Sequence, residues 1–266
     1  MELNKIYNEN CLEGMKRIPD QSIDCIICDL PYEVLHKNNK NVQWDKIIPF
    51  EPLWEQYLRI TKENAAIILF GQGMFTCQVM MSQPKLWRYN LIWDKCRATG
   101  FLNANKMPMR SHEDIMVFYK SLPTYNPQFR EGDSHPQGNG EHRRTNQCYG
   151  EIKDQRKKVG QLYDYDYIKV VPPTGKCFPK SILQFSKDHN KDTWHPTQKP
   201  VKLIQYLIRT YTNPSDVVLD NCMGSGTTAI ACIKEKRNFI GFELNKEYYD
   251  KACKRIKMEQ QQLLLF

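Results

Sequence analysis

The sequence predicts an α/β fold: a mostly parallel sheet with helices on both faces, interrupted by an inserted region. Three observations carry this. Short apolar runs alternate with helical patterns through the first 120 residues, the rhythm resumes after residue 180, and the stretch between differs in composition. The expected elements begin with the strand IDCIIC at 23–28, a helix near 51–62, the strand AAIILF at 65–70 and a helix from about 73. The strands YNLIW at 89–93 and DIMVFY at 114–119 complete the first part. A helix from Pro200 to about Tyr211, the strand VVLD at 217–220, a helix from about Thr227 to Lys236, the strand FIGFE at 239–243 and a closing helix form the second. The chain thus divides into a half at 1–120, an insert at 121–180 and a half at 181–266.

At 266 residues the chain is long enough to bury a full hydrophobic core without covalent staples. Its ten cysteines are scattered through apolar segments, with neither a secretory signal nor a disulfide-like framework, and read as reduced thiols. Cys25 and Cys28 form a CxxC, but a strand directs them to opposite faces and no second pair follows, so no metal is expected. No run approaches the roughly 20 apolar residues of a membrane span, and a soluble cytoplasmic protein is expected. The net charge of +8 favours an anionic partner without identifying it.

The insert holds 6 of the 13 glycines and 6 of the 15 prolines, and ten Lys or Arg against seven Asp or Glu. His135, His142, Tyr149, Tyr163, Tyr165 and Tyr167 are interleaved with the cations. That mixture suits phosphate contact and base stacking, and equally a solvated, loop-rich surface.

In VVLDNCMGSGTTAIACIKEKRNFIGFELN a strand, a glycine turn and a helix are followed by a strand ending in an acid. Gly224 and Gly226 allow a tight turn and close approach to a ligand, and the helix from Thr227 offers free N–H groups at its positive end. Glu243 can accept both ribose hydroxyls of an adenosine. A phosphate-binding loop would require a Gly-Lys-Ser/Thr that is missing here. A dinucleotide fold stays open, because the alanine at 229, in the place of its third glycine, is tolerated.

The strand IDCIIC leads into Asp29, Leu30, Pro31 and Tyr32 at the carboxyl end of a sheet strand, where ligands of open α/β sheets bind. Pro31 biases Leu30 to an extended conformation. Asp29 and the Leu30 carbonyl then offer two acceptors to one NH2 group, with Tyr32 beside them as a stacking surface. Taken alone, the tetrapeptide reads sooner as an ordinary turn.

Combined with WHPTQKPVKLIQYLI just before the cofactor strand, these motifs resemble the beta-class amino-methyltransferases of DNA, which modify adenine N6 or cytosine N4. In that family the catalytic motif comes first, a target-recognition region sits in the middle and the cofactor motif comes last. NENCLEGMKRIPDQSIDCIICDLPY, NLIWDK, HEDIMVFYK, HPTQKP and DNCMGSGTT follow that order, so the resemblance covers nearly all of the chain outside 121–180. Leu30 departs from the family's usual proline but still supplies a carbonyl, with a less rigid φ. Asn10 precedes Cys11 where the family often has an acid.

The resemblance implies a Rossmann-like, S-adenosylmethionine-dependent fold with 121–180 as the target-recognition region. It places the cofactor along Asn10, Cys11, Lys199, Asp220, Asn221, Cys222, Gly224, Ser225, Gly226, Thr227, Thr228 and Glu243. Glu243 takes the ribose, the 222–228 turn the methionine end, and Lys199 its carboxylate. Asp29, Leu30, Pro31 and Tyr32 are the implied catalytic residues, acting on the N6 of an adenine flipped out of DNA. Within 121–180, the basic composition makes Arg143, Arg144, Arg156, Lys157 and Lys158 the candidate DNA contacts. Cytosine N4, where members more often carry serine in place of Asp29, is one alternative. RNA as substrate and a DNA-binding module without turnover are the others. A cytosine-C5 enzyme would need a nucleophilic Pro-Cys, which does not occur. The sequence is compatible with a homodimer and leaves a restriction partner unspecified.

Overall fold

The computed structural model describes residues 1–33, 45–132, 173, 175–187 and 194–263. Two compact units divide the chain: one of Met1–Gln128 with Lys180–Phe266, the other of Phe129–Pro179.

The first unit is built on an eight-stranded sheet. Its strands are β1 (Lys5–Tyr7), β2 (Ile23–Cys28), β3 (Thr61–Gly71), β4 (Trp87–Thr99), β5 (Arg110–Phe118), β8 (Ile182–Gln184), β9 (Val217–Asp220) and β10 (Asn238–Phe242). The spatial order is β1-β10-β9-β2-β3-β5-β4-β8. The first five pair in parallel. β5 is antiparallel to both β3 and β4, which makes that side of the sheet mixed. The cause is local: residues 100–109 are fewer than the dozen or more that a parallel crossover requires, so β4 and β5 form a hairpin.

Strand alternation separates two cores. Cys25, Ile27, Ile68, Phe70, Val117 and Val218 enter one apolar cluster with helices α4 (Val201–Tyr211), α5 (Thr227–Lys234) and α6 (Lys246–Leu263). Ile26, Cys28, Ile67, Leu69, Phe118 and Leu219 enter the other with α1 (Cys11–Met15), α2 (Phe50–Ile60) and α3 (Met74–Ser82). Burial on both faces is why these strands are near-continuous apolar runs. The C-terminal helices cover one face and the N-terminal helices the other, as the Rossmann-like reading requires. Cys25 and Cys28 fall in different clusters, so their spacing makes no pair.

Some boundaries differ from expectation. The helix near 51–62 stops at Ile60, because Thr61 is extended and its hydroxyl donates to the Tyr57 carbonyl at 2.6 Å, opening β3 instead. β4 and β5 run past their apolar cores through Asp94↔His112 and Thr99↔Arg110, a solvent-exposed ladder that no apolar run marks. In the second unit β6 (Arg130–Glu131) pairs antiparallel with β7 (Lys176–Cys177), and the Phe129 and Phe178 rings lie 5.5 Å apart. Arg143, Arg144, Arg156, Lys157 and Lys158 lie outside the described residues. No described helix is long and apolar enough to cross a membrane.

Candidate active site

The carboxyl ends of β1, β10, β9, β2 and β3 open on one cavity of about 680 Å³. Asn10 follows β1, Glu243 follows β10, Asp220 ends β9, Asp29 follows β2 and Gln72 follows β3, and all five line it. The parallel sheet therefore brings the ends of strands remote in sequence to one place.

At the glycine turn most bonds are short-range. Asp220 accepts from the Cys222 N–H at 3.0 Å and the Thr228 hydroxyl at 2.6 Å, closing the turn across its own ends. Burial raises this carboxyl to about 7. Gly224, at φ 52°, donates its N–H to Glu243 at 2.8 Å, while the other Glu243 oxygen accepts from the Asn245 N–H at 2.8 Å. Burial raises the Glu243 carboxyl as well. A carboxylate has about four acceptor sites, so acceptor capacity remains for a ligand hydroxyl. The Tyr57 hydroxyl donates to Asn221, whose amide lies 3.7 Å from the Cys11 sulfur and 3.5 Å from that of Cys222.

Side chains from distant elements converge on the tetrapeptide Asp29 to Tyr32. Asp29 receives the Tyr32 hydroxyl at 2.6 Å on one oxygen and the Lys199 ammonium at 2.5 Å on the other. Lys199 also lies 3.2 Å from Glu113 of β5, and Lys95 of β4 lies 3.1 Å from the same carboxylate. Burial raises the Asp29 carboxyl, Glu113 adds to that rise, and Lys199 opposes it. Burial would raise Glu113 too, but its two lysines hold it below the ordinary range. Burial alone would lower Lys199, and its carboxylate partners reverse this, so the ammonium stays charged. Asp45 accepts from the Tyr32 and Glu33 N–H groups at 3.1 and 3.2 Å, anchoring the end of the motif.

The sequence-based assignments divide accordingly. Asp29, Leu30, Pro31 and Tyr32 lie on the cavity wall, as do Asn10, Cys11, Lys199, Asp220, Asn221, Cys222, Gly224, Ser225, Thr227, Thr228 and Glu243. Gly226 does not. It caps α5 at φ 78°, and a Cβ there would lie 3.3 Å from Ala252 of α6, so its smallness serves helix packing. Lys199, read as a partner for the cofactor carboxylate, is paired with the protein's own Asp29 and Glu113. The Asn10 side-chain oxygen caps α1 by accepting from the Leu12 N–H at 2.9 Å. The Tyr32 ring stacks on Phe75 at 4.6 Å and points its hydroxyl, not its face, at Asp29. Leu30 is buried in the Cys28 cluster, so packing supplies the rigidity that a second proline ring would have given.

Glu113, Lys95 and His195 were missed as site residues, although all three lie inside quoted motifs. His195 packs edge-on to Tyr248 at 4.5 Å, and a Cβ on Gly224 would lie 3.3 Å from its ring. Burial, with the Lys199 charge, lowers it to about 4, so the ring is neutral near pH 7. Pairing of Glu113 with Lys95 follows from the register of β4 and β5, its pairing with Lys199 joins β5 to the segment before α4, and no local pattern announces either.

Residues 23–254 match the DNA methylase family of N6 and N4 enzymes. The chain belongs to that family. This methylase is 28% identical over 278 residues to the type II methyltransferase M1.MboII of Moraxella bovis, across 95% of this chain and 96% of that one. It is 27% identical to M.HpaI of Haemophilus parainfluenzae over 263 residues, covering 96% and 74%. Among solved structures it superposes on the M1.HpyAVI–SAM complex with a TM-score of 0.59 at 25% identity, covering 94% and 98%. The cytosine-N4-specific PvuII DNA methyltransferase superposes with a TM-score of 0.63, covering 98% and 92%, and at 16% identity shows the shared fold alone.

Proposed function

We propose that this DNA methylase transfers the methyl group of S-adenosylmethionine to the exocyclic N6 of an adenine flipped out of a specific DNA site. The observation that carries the reading is the placement of Asp29 at the end of β2, in the same cavity as Glu243 and the glycine turn. One pocket can thus hold an adenosyl group and an amine acceptor together.

The residues fit that cofactor. Glu243 retains acceptor capacity for a ribose hydroxyl, Gly224 brings backbone close to the cavity, and the buried Gln198 side-chain oxygen on the cavity wall has no hydrogen-bond partner among the described residues. When bound, the cofactor supplies a methyl group on a positively charged sulfur. The protein's share of the chemistry is alignment and charge. Asp29 and the Leu30 carbonyl accept the two N–H groups of the base amine, which draws that nitrogen towards tetrahedral geometry and stabilises its developing positive charge. Holding donor and acceptor in line supplies much of the rest. Tyr32 has two tasks: its hydroxyl steadies Asp29, and its ring covers the incoming base once it turns from Phe75. The neutral His195 leaves the adjoining wall without an extra positive charge beside the sulfonium.

Asp29 at a place where cytosine-N4 members more often carry serine supports adenine. Relatives named type II methyltransferases support a site-specific modification enzyme. Residues 121–180 are the proposed recognition region, with Arg143, Arg144, Arg156, Lys157 and Lys158 as its contacts. The test is to incubate unmethylated plasmid with labelled S-adenosylmethionine, digest the product to nucleosides and identify the labelled one. Label in N6-methyladenine is expected, label in N4-methylcytosine would replace the base assignment, and absence of label would overturn the reading.

A further inference from the structure

The β4–β5 hairpin extends beyond the sheet as an arm, and every residue from Cys96 to His112 is exposed. The arm is nevertheless ordered by its own bonds. Thr99 pairs with Arg110, and the Gly100 and Phe101 carbonyls accept from the Asn103 and Ala104 N–H groups at 2.9 and 3.0 Å. This frame holds Phe101 and Leu102 into solvent at 79% and 95% exposure, with Met107 also exposed. Presentation of adjacent large apolar side chains on an exposed arm is a binding feature, because an isolated hairpin gains nothing from their exposure.

Charge identifies the partner. Residues 96–111 contain Arg97, Lys106 and Arg110 and neither Asp nor Glu. The root of the arm reaches the active-site cavity: Arg110 lines it and donates to Gln72 at 3.2 Å, and Gln72 in turn donates to the His112 carbonyl at 2.9 Å. A polyanion that delivers a base into this cavity meets a cation of the arm, Arg110, on the cavity wall. Extruding a base opens a gap between its stacked neighbours, and apolar side chains such as Phe and Leu fill such gaps in other kinked or unstacked duplexes.

We propose that the arm from Cys96 to His112 is a DNA wedge. Arg97 and Lys106 sit on phosphates, and Phe101 with Leu102 enters the stack vacated by the target base. This rests on the reading that the chain flips and methylates a base of duplex DNA. It adds a DNA-contacting element outside residues 121–180.

Two double variants test it. Phe101→Ala with Leu102→Ala should lower methyl transfer to unmethylated plasmid at least tenfold. Calorimetric affinity for S-adenosylhomocysteine, melting temperature and sedimentation mass should stay at wild-type values. Arg97→Ala with Lys106→Ala should weaken binding to a mixed-sequence 40-base-pair duplex and flatten its log–log salt slope by about two. Transfer and salt slope both at wild-type values would overturn the proposal. So would a drop in sedimentation mass accompanying the lost transfer, since the arm would then join two copies of the chain. If the wild type binds duplex with an arm-dependent slope but labels no base, the methyl-transfer reading falls and the arm remains a DNA contact. If variants and wild type methylate equally, the wedge falls and the enzyme stands.

Discussion

The glycine turn after β9 and the tetrapeptide after β2 occupy equivalent places at the ends of adjacent strands, yet they are held differently. The turn is closed within its own segment, Asp220 to Cys222 and Thr228, with Glu243 of the neighbouring strand added. The tetrapeptide is held from outside, by Lys199 before α4, by Glu113 and Lys95 acting through Lys199, and by Asp45. A site made of backbone conformation is self-contained. A site made of charge depends on the register of strands far away in sequence.

The sharpest way to break the comparison is Asp29→Ala. Loss of an acceptor for developing charge costs about 3 kcal/mol or more, a rate loss of over a hundredfold. Affinity for S-adenosylhomocysteine should be retained, because the turn does not need Asp29. Near-normal turnover would remove Asp29 from the mechanism.

Lys199→Met tests the dependence on distant charge. Burial and Glu113 raise the Asp29 carboxyl, and Lys199 restrains it. In the proposed role Asp29 accepts in its ionised form, so activity should be lost as pH falls through its pKa in the folded protein. Without Lys199 that pKa rises, and the acidic limb of kcat should move to higher pH. An unmoved limb in a kcat–pH profile would show that Lys199 does not control Asp29. Breaking a buried pair of this kind also costs stability, about 3 kcal/mol.

Within the turn, Glu243→Ala and Gly226→Ala should separate. Removing hydrogen bonds to a charged acceptor costs about 1.5–3 kcal/mol, so calorimetry should show a weaker S-adenosylhomocysteine complex for Glu243→Ala with little change in DNA affinity. At Gly226, a side chain at positive φ costs about 1–2 kcal/mol, read as a lower melting temperature with cofactor affinity nearly unchanged. Reversed effects would exchange the roles of the two residues.

The smallest expected effect is that of Tyr32→Phe. The variant loses the hydroxyl that Asp29 accepts and keeps the ring, so turnover should drop about fivefold, near 1 kcal/mol. Tyr32→Ala should be worse. If the two were equal, the hydroxyl would be the ring's whole contribution.

Much of this was legible in the chain. The strands 23–28, 217–220 and 239–243 declare themselves as apolar runs because both sheet faces are covered. The turn declares itself because positive φ at 224 and 226 calls for glycine. The arm at 96–112 was illegible, because its ladder is solvent-exposed and carries no apolar period. The division of labour between the two glycines was equally hidden, since both satisfy the same backbone requirement and only the neighbours, His195 for one and Ala252 for the other, tell them apart.

By itself the sequence determined the fold class and the glycine turn, which are properties of periodicity and local backbone conformation, and the order of its motifs, which carried the resemblance to the family. The tertiary structure decided that Lys199 pairs with Asp29 and Glu113 and that the Tyr32 ring lies on Phe75. It also decided that Gly226 packs on α6. These depend on which residues meet across strand register and helix packing, and a contact between positions 29, 113 and 199 leaves no mark on the neighbours of any of them.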